Sequence, residues 1–257
     1  MPDSIQEDAS RAAPERSRPV FLTAEWREIA ILSFEVDPAI LEPHLPQGTE
    51  IDVCGGRCLL SLVGLLFRRT RLLRIPIPFH TSFEEVNLRF YVRRKAGPAQ
   101  RSGVVFIREM VPRRAVAAVA RISYGERYTA RRLRHSIAEG VAAGAPFRRV
   151  SYGWDTGGKP SGVRLACSGE PLPIAAGTVE EFLADRRWGY VRRRGRTLEY
   201  AVDHPKWRIL AATEAAVEGD PRETYGDALG SILMGQPLGA FLAEGSEVAI
   251  RWPKTLT

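Results

Sequence analysis

The chain has 257 residues, 44% of them hydrophobic and 26% charged, which is enough to bury one large core. Its longest apolar run, Cys58 to Phe67, is about half of what a bilayer-spanning helix needs, so no membrane span is expected. The formal net charge of +7 leaves nucleic acid, acidic partners and anionic small molecules to be weighed.

That charge comes almost wholly from arginine, since the lysines are Lys95, Lys159, Lys206 and Lys254. The arginines recur along the whole chain, at Arg68, Arg69, Arg71 and Arg74, at Arg131, Arg132 and Arg134, and at Arg192, Arg193, Arg194 and Arg196. A nucleic-acid surface would concentrate them or interleave them with stacking aromatics, so no nucleic-acid partner is expected. An anionic small molecule is the expected partner, and a homo-oligomer is left open. Cys54, Cys58 and Cys167 make an odd count with no disulfide framework, which fits a reducing cytoplasm. Residues 1–20 are polar, carry no apolar signal segment and are expected to form a disordered tail before a single domain over 21–257.

Trp26 to Val36 reads as a strand, followed by a short helix with Asp37 as cap and Pro38 at its first position. After the turn Leu45-Pro46-Gln47-Gly48, Ile51 to Val53 and Cys58 to Phe67 flank Cys54-Gly55-Gly56-Arg57, a hairpin whose paired glycines suit positive φ. Phe83 to Val92 alternates strictly, with Val86, Leu88, Phe90 and Val92 on one face and Glu85, Asn87, Arg89 and Tyr91 on the other. Val104 to Arg108 reads as a strand and Arg114 to Ser123 as an Ala-rich helix closing near Gly125. Thr178 and Glu181 form a capping box before a helix containing Phe182 and Leu183. Leu198 to Val202, Trp207 to Ala212 and Val248 to Trp252 read as strands, and the Gly and Pro turns between them predict a meandering antiparallel sheet.

Several motifs mimic chemistry. Gly153 to Lys159 matches the opening of a phosphate-binding loop, but Pro160 stands where the Mg²⁺-holding Ser or Thr belongs, so a glycine-rich turn is the better reading. Cys54 and Cys58 lack a second pair, and His44, His80, His135 and His204 show no zinc spacing, so neither metal nor cofactor is implied. No nucleophile elbow and no dinucleotide fingerprint occur. The face of Glu85, Asn87, Arg89 and Tyr91 is different: a carboxylate, an amide, a guanidinium and a phenol line one side of a strand whose other side is apolar. The pattern alone leaves open a solvated outer face or the wall of a barrel cavity.

The order Glu25-Trp26, Asp37-Pro38-Ala39, Leu45 to Asp52, Phe83-Glu84-Glu85-Val86-Asn87-Leu88-Arg89-Phe90-Tyr91-Val92 and Arg108 to Arg114 resembles the YqjF-like family of uncharacterised bacterial proteins from about Trp26 to Trp252. Its most specific piece is the strand from Phe83. That family is placed in the acetoacetate decarboxylase-like superfamily, which implies an α+β, β-rich fold: a large antiparallel β-barrel with a central cavity and a few short helices. In the decarboxylase a lysine forms a Schiff base, its pKa lowered by an adjacent lysine. The resemblance puts Tyr128 and Thr129 at those two positions, where neither can form an imine, and puts the superfamily's active-site glutamate on Glu85. The arginine that receives the substrate carboxylate falls on Ala24 rather than Arg27.

The leading expectation is therefore a barrel that binds a small anionic or carbonyl ligand through Asn87, Arg89 and Tyr91, with Glu85 and Tyr128 beside it and no imine. The enzymatic alternative is a lyase or isomerase with Glu85 as base and Tyr128 as acid. A third reading is an interaction protein that docks an acidic partner through its arginines. Lys206, next to His204 and Trp207, is the lysine in a strand-like setting with an ionisable neighbour.

Overall fold

A computed structural model of the chain describes residues 18–76, 80–123, 125–142 and 144–256. Most of the expected N-terminal tail lies outside these residues. Its last member, Val20, does not belong to a tail, because it opens the first strand.

The longer elements are β1 (Val20–Glu35), α1 (Pro38–Leu41), β2 (Arg57–Leu72), β3 (Phe83–Ala96), β4 (Ala99–Val111), α2 (Arg114–Ser123), β5 (Tyr128–Ala130), β6 (Leu133–Ala142), β7 (Ala145–Thr156), β8 (Lys159–Ser168), α3 (Val179–Ala184), β9 (Trp188–Arg193), β10 (Arg196–Asp203), β11 (Arg208–Glu218), α4 (Arg222–Tyr225), α5 (Asp227–Leu233) and β12 (Gly239–Arg251). Local chemistry sets their ends as expected. The Asp37 carboxylate accepts from the Ala39 N–H, with Pro38 opening α1. Gly55 and Gly56, at φ 57° and 81°, make the two-residue turn between Cys54 and Arg57. Thr178 Oγ1 accepts from Glu181 N, while the Glu181 carboxylate reaches back to Gly177 N rather than to the cap residue itself. The phosphate-loop mimic is a hairpin: β7 and β8 pair from Thr156↔Lys159 onward, and Gly157 and Gly158 form the turn at positive φ.

The strand pairings β1–β2, β2–β3, β3–β4, β4–β9, β9–β10, β10–β12 and β12–β1 run in a closed ring. The expected antiparallel meander holds except at β4, whose pairings with β5 and β9 are parallel. Gly103 permits the second of these, since a Cβ there would meet the Trp188 carbonyl oxygen at 2.5 Å. A second sheet, β6–β7–β8–β11, packs on the outside of the ring and joins it through β11–β12.

This arrangement explains why β2 is almost wholly apolar from Cys58 to Phe67. Leu59, Val63, Leu65 and Phe67 point into the ring, while Leu60, Leu62 and Leu66 pack towards the second sheet with Val150, Tyr152, Trp154 and Leu165. Gly64 lies on that outward face, where a Cβ would fall inside the Tyr152 ring. The same division applies to β3: Val86, Leu88, Phe90 and Val92 join the outer core, so Glu85, Asn87, Arg89 and Tyr91 are buried rather than solvated.

Candidate functional site

Glu85, Asn87 and Arg89 share the inner wall of β3 because successive strand residues alternate, and a register shift between Leu88 and Arg89 against β4 re-aims the last of them. They line a cavity of about 70 Å³ with Glu109, Tyr128, Arg186, Trp188, Tyr200, His204 and Trp207. Asn87 Nδ2 donates to Glu85 Oε1 at 2.9 Å, and the Tyr128 hydroxyl donates to Glu85 Oε2 at 2.8 Å. Arg89 Nη2 donates to the Leu183 carbonyl at the end of α3, while its Nε and the Asn87 Oδ1 have no hydrogen-bond partner. His204 stacks on Trp207 with ring centroids 4.5 Å apart, and burial holds its pKa below the ordinary imidazole value.

Tyr91 is placed differently from its strand neighbours. Its hydroxyl bonds Ser61 Oγ, which in turn bonds Ser33 Oγ, and its ring lies beneath the Arg186 guanidinium. It is absent from the residues lining the cavity and packs inside the ring against Phe182 of α3.

Three further side chains complete the site, and none was singled out from the sequence. Glu109 on β4 pairs in register with Asn87 on one side and Tyr128 on the other. Glu126, two residues before Tyr128, accepts from the Tyr200 hydroxyl at 2.7 Å. Both glutamates also line a second, more apolar chamber of about 110 Å³, which shares Phe67, Glu109, Tyr128, Tyr200 and Ile250 with the first. The charged pair Arg108-Glu109 in the otherwise apolar Val104 to Val111 was the available signal for Glu109. Glu126 and Tyr200 come into place only through the closure of the ring.

Burial decides the electrostatics. It pushes Glu85 up to about 7, against the bonds from Asn87 and Tyr128 and the charge of Arg89, all of which favour the ionised form. Burial, with the negative charge of Glu85, pushes Glu126 up to about 8 against the Tyr200 bond. Glu109 lies well above the carboxylate range through burial and the charges of Glu126 and Glu85. Burial and the same carboxylates raise Tyr128, so its proton stays in place and it acts as a hydrogen-bond donor. Among the described residues no group of three or more His, Cys, Asp or Glu side chains is positioned to hold a metal ion.

Lysine is missing from both chambers. All four lysines are exposed, and Lys206 Nζ is ion-paired with Glu181 at 2.7 Å. Ala24 is buried in the inner core, and Arg27 pairs with Glu25.

Solved structures of the same fold include an acetoacetate decarboxylase from Legionella pneumophila, 13% identical, covering 97% of this chain and 94% of that one, with a TM-score of 0.63. The enduracididine biosynthesis enzyme MppR, complexed with the condensation product of pyruvate and imidazole 4-carboxaldehyde, is 12% identical, with coverage of 100% and 99% and a TM-score of 0.65. An acetoacetate decarboxylase-like enzyme from Sphingomonas wittichii RW1 is 14% identical, with coverage of 93% and 94% and a TM-score of 0.62. No curated protein sequence matches the chain. At these identities the likeness is one of fold, and the fold is that of acetoacetate decarboxylase. The family model DUF2071, described as an uncharacterized conserved protein, matches residues 23–246, and the chain belongs to that family.

Proposed function

We propose that the inner chamber binds a small carboxylate or carbonyl compound without forming an imine. The observation that carries this reading is the set of unused polar atoms around Glu85: Arg89 Nε and Asn87 Oδ1 are buried, unpartnered and on the wall of an enclosed cavity that no lysine lines among the described residues. Arg89 would receive the ligand's anionic oxygen and Tyr128 would donate a hydrogen bond to its carbonyl.

The test is thermal stabilisation by a panel containing pyruvate, acetoacetate and lactate, repeated with Arg89→Ala, alongside borohydride trapping read by intact mass. Stabilisation that disappears in Arg89→Ala, without a reduced adduct, supports the reading. A borohydride-stable adduct would overturn it, because a lysine would then be reacting.

One observation favours turnover over simple binding. A carboxyl that titrates at about 7 can serve as a base near neutrality, and Glu85 is hydrogen-bonded through both oxygens in the geometry a positioned base requires. Exchange of the pyruvate methyl protons for deuterium, followed by NMR, is expected to accelerate as pH rises through about 7 and to fall to the uncatalysed rate in Glu85→Gln. No exchange above buffer at any pH would leave a binder.

A further inference from the structure

Glu109, which lines both chambers, and Glu126, which lines the outer one, are not needed for the Arg89 and Glu85 reading of the inner chamber. Their residues are 2% and 3% exposed, and Oε2 of each, taken as a carboxylate oxygen, has no hydrogen-bond partner. The two carboxyls line the same chamber and act on each other's titration, since two buried carboxylates at close range cannot both stay charged. Two buried acids facing one another are relieved of charge by protons, or by a cation from outside that replaces one of those protons.

The surroundings specify that cation. The outer chamber is walled by Phe21, Leu22, Phe67, Leu72, Phe83 and Val116, and among the described residues no arginine or lysine lines it. A metal ion would exchange its hydration shell for an apolar wall and too few ligands, whereas an organic ammonium ion carries its own apolar body. Carboxylates at one end of an apolar chamber present charge and greasy surface in the arrangement such an ion needs. We propose that the outer chamber binds a small primary amine in its ammonium form, with its alkyl group against the apolar wall and its N–H groups donated to Glu109 and Glu126. One of the protons that the two acids otherwise hold is released to solvent as the amine binds, and the other stays on the pair. The proposal does not depend on the Arg89 reading, although the two chambers share Glu109, Tyr128 and Tyr200.

The groups facing the pair are Glu85 from β3, Tyr128 from β5, Tyr200 from β10 and the Arg127 charge beside Glu126, with His80 and Thr70 bordering the chamber and Arg89 acting on Glu85. Apart from the arginines and His80, these groups are acidic or neutral, so an ammonium ion meets little opposing charge. With Glu126 pushed up to about 8 and Glu109 raised as well, the pair holds its protons at neutral pH. Amine affinity therefore rises as pH rises through about 8, until the amine itself loses its proton near 10.

Isothermal titration of the full-length protein with n-butylamine, n-butanol and butyrate between pH 6 and 9 tests this. The expected result at pH 8.5 is about a tenfold or larger preference for butylamine over butanol. The affinity should fall towards pH 6, and at pH 7 roughly one proton should be released per amine bound, read from buffers of different ionisation enthalpy. Glu109→Gln and Glu126→Gln keep the side-chain shape and should each weaken butylamine by about tenfold or more. Glu126 lines the outer chamber and not the inner one, so Glu126→Gln should keep any stabilisation by pyruvate, and failure here and failure of the inner-chamber reading are separable. Butylamine that binds no tighter than butanol at any pH, or that keeps its affinity in both Gln variants, would overturn the proposal.

Discussion

The protein buries glutamates to 3% exposure or less in two places and treats them in opposite ways. Glu199, fully buried on β10, is surrounded by Arg101 at 2.5 Å and by Arg18 and Arg94 at 3.3 Å, and Arg101 also lies 4.0 Å over the Trp188 ring. This cluster ties β3, β4, β10 and the segment entering β1 together. Glu85, Glu109 and Glu126 are buried as deeply, yet no arginine or lysine forms an ion pair with any of them among the described residues, and oxygens of Glu109 and Glu126 are left unpartnered. In a chain this rich in arginine, shortage of cations is no explanation. The folded state neutralises Glu199 with side chains and leaves Glu85, Glu109 and Glu126 to protons or a ligand, and unpaired buried acids in a cavity mark a site rather than a scaffold.

The largest effect expected from breaking this contrast is on the neutralised side. Glu199→Ala leaves three part-buried guanidiniums facing one another and should cost about 3–5 kcal/mol in denaturant unfolding. A loss below about 1 kcal/mol would mean that the cluster is merely tolerated. Gly189→Ala comes next. Gly189 pairs with Tyr200, and a Cβ there would land in the phenol ring and against its hydroxyl, displacing Tyr200 from Glu126. About 1–3 kcal/mol of destabilisation is expected from such overpacking.

How far the sequence reaches follows from the same residues. The strict alternation of β3 identified its polar face, but not whether that face met water or a cavity, because both share one pattern of period two. The answer came from the closed ring and from β2, whose apolar run is buried on both sides. β6, β7 and β8 were not assigned as strands: β6 is exposed on both faces, so its LRHSIAEGVA carries no alternation to read. Phe83 to Val92 could nominate Glu85, Asn87 and Arg89 because they sit on one strand. Glu109, Glu126 and Tyr200 meet only through parallel pairing and ring closure, contacts that leave no local spacing. Tyr91 shares the face by pattern, and its position near the end of the wall sends its hydroxyl to Ser61 instead.

The acid cluster also predicts how stability responds to pH. Glu85 and Glu126 titrate at about 7 and about 8 in the folded chain against 4.5 as the ordinary value. Between those limits the folded state holds protons that the unfolded chain has released. The stabilisation is therefore complete below about 4.5 and is lost as pH rises through 7 and 8, with a slope of about 1.4 kcal/mol per pH unit for each fully protonated group. Glu126→Gln should flatten that slope, measured as unfolding free energy between pH 5 and 8.5.

The smallest effect tests the local division of labour around Glu85. Tyr128 donates to the ionised carboxylate, so its hydroxyl lowers a pKa that burial raises. Tyr128→Phe keeps the ring and removes the donor, leaving Asn87 as the partner on Oε1. One hydrogen bond of about 1 kcal/mol corresponds to somewhat less than one pH unit, so the Glu85 midpoint should move upward by about that much in a carboxyl NMR titration. A downward move would mean that Tyr128 acts on Glu85 chiefly by excluding water, since its removal would then let solvent in to favour the charge. An upward move would identify the phenol as the group that keeps Glu85 available as a base near neutral pH, in the position where the resemblance to the decarboxylase would have placed a reactive amine.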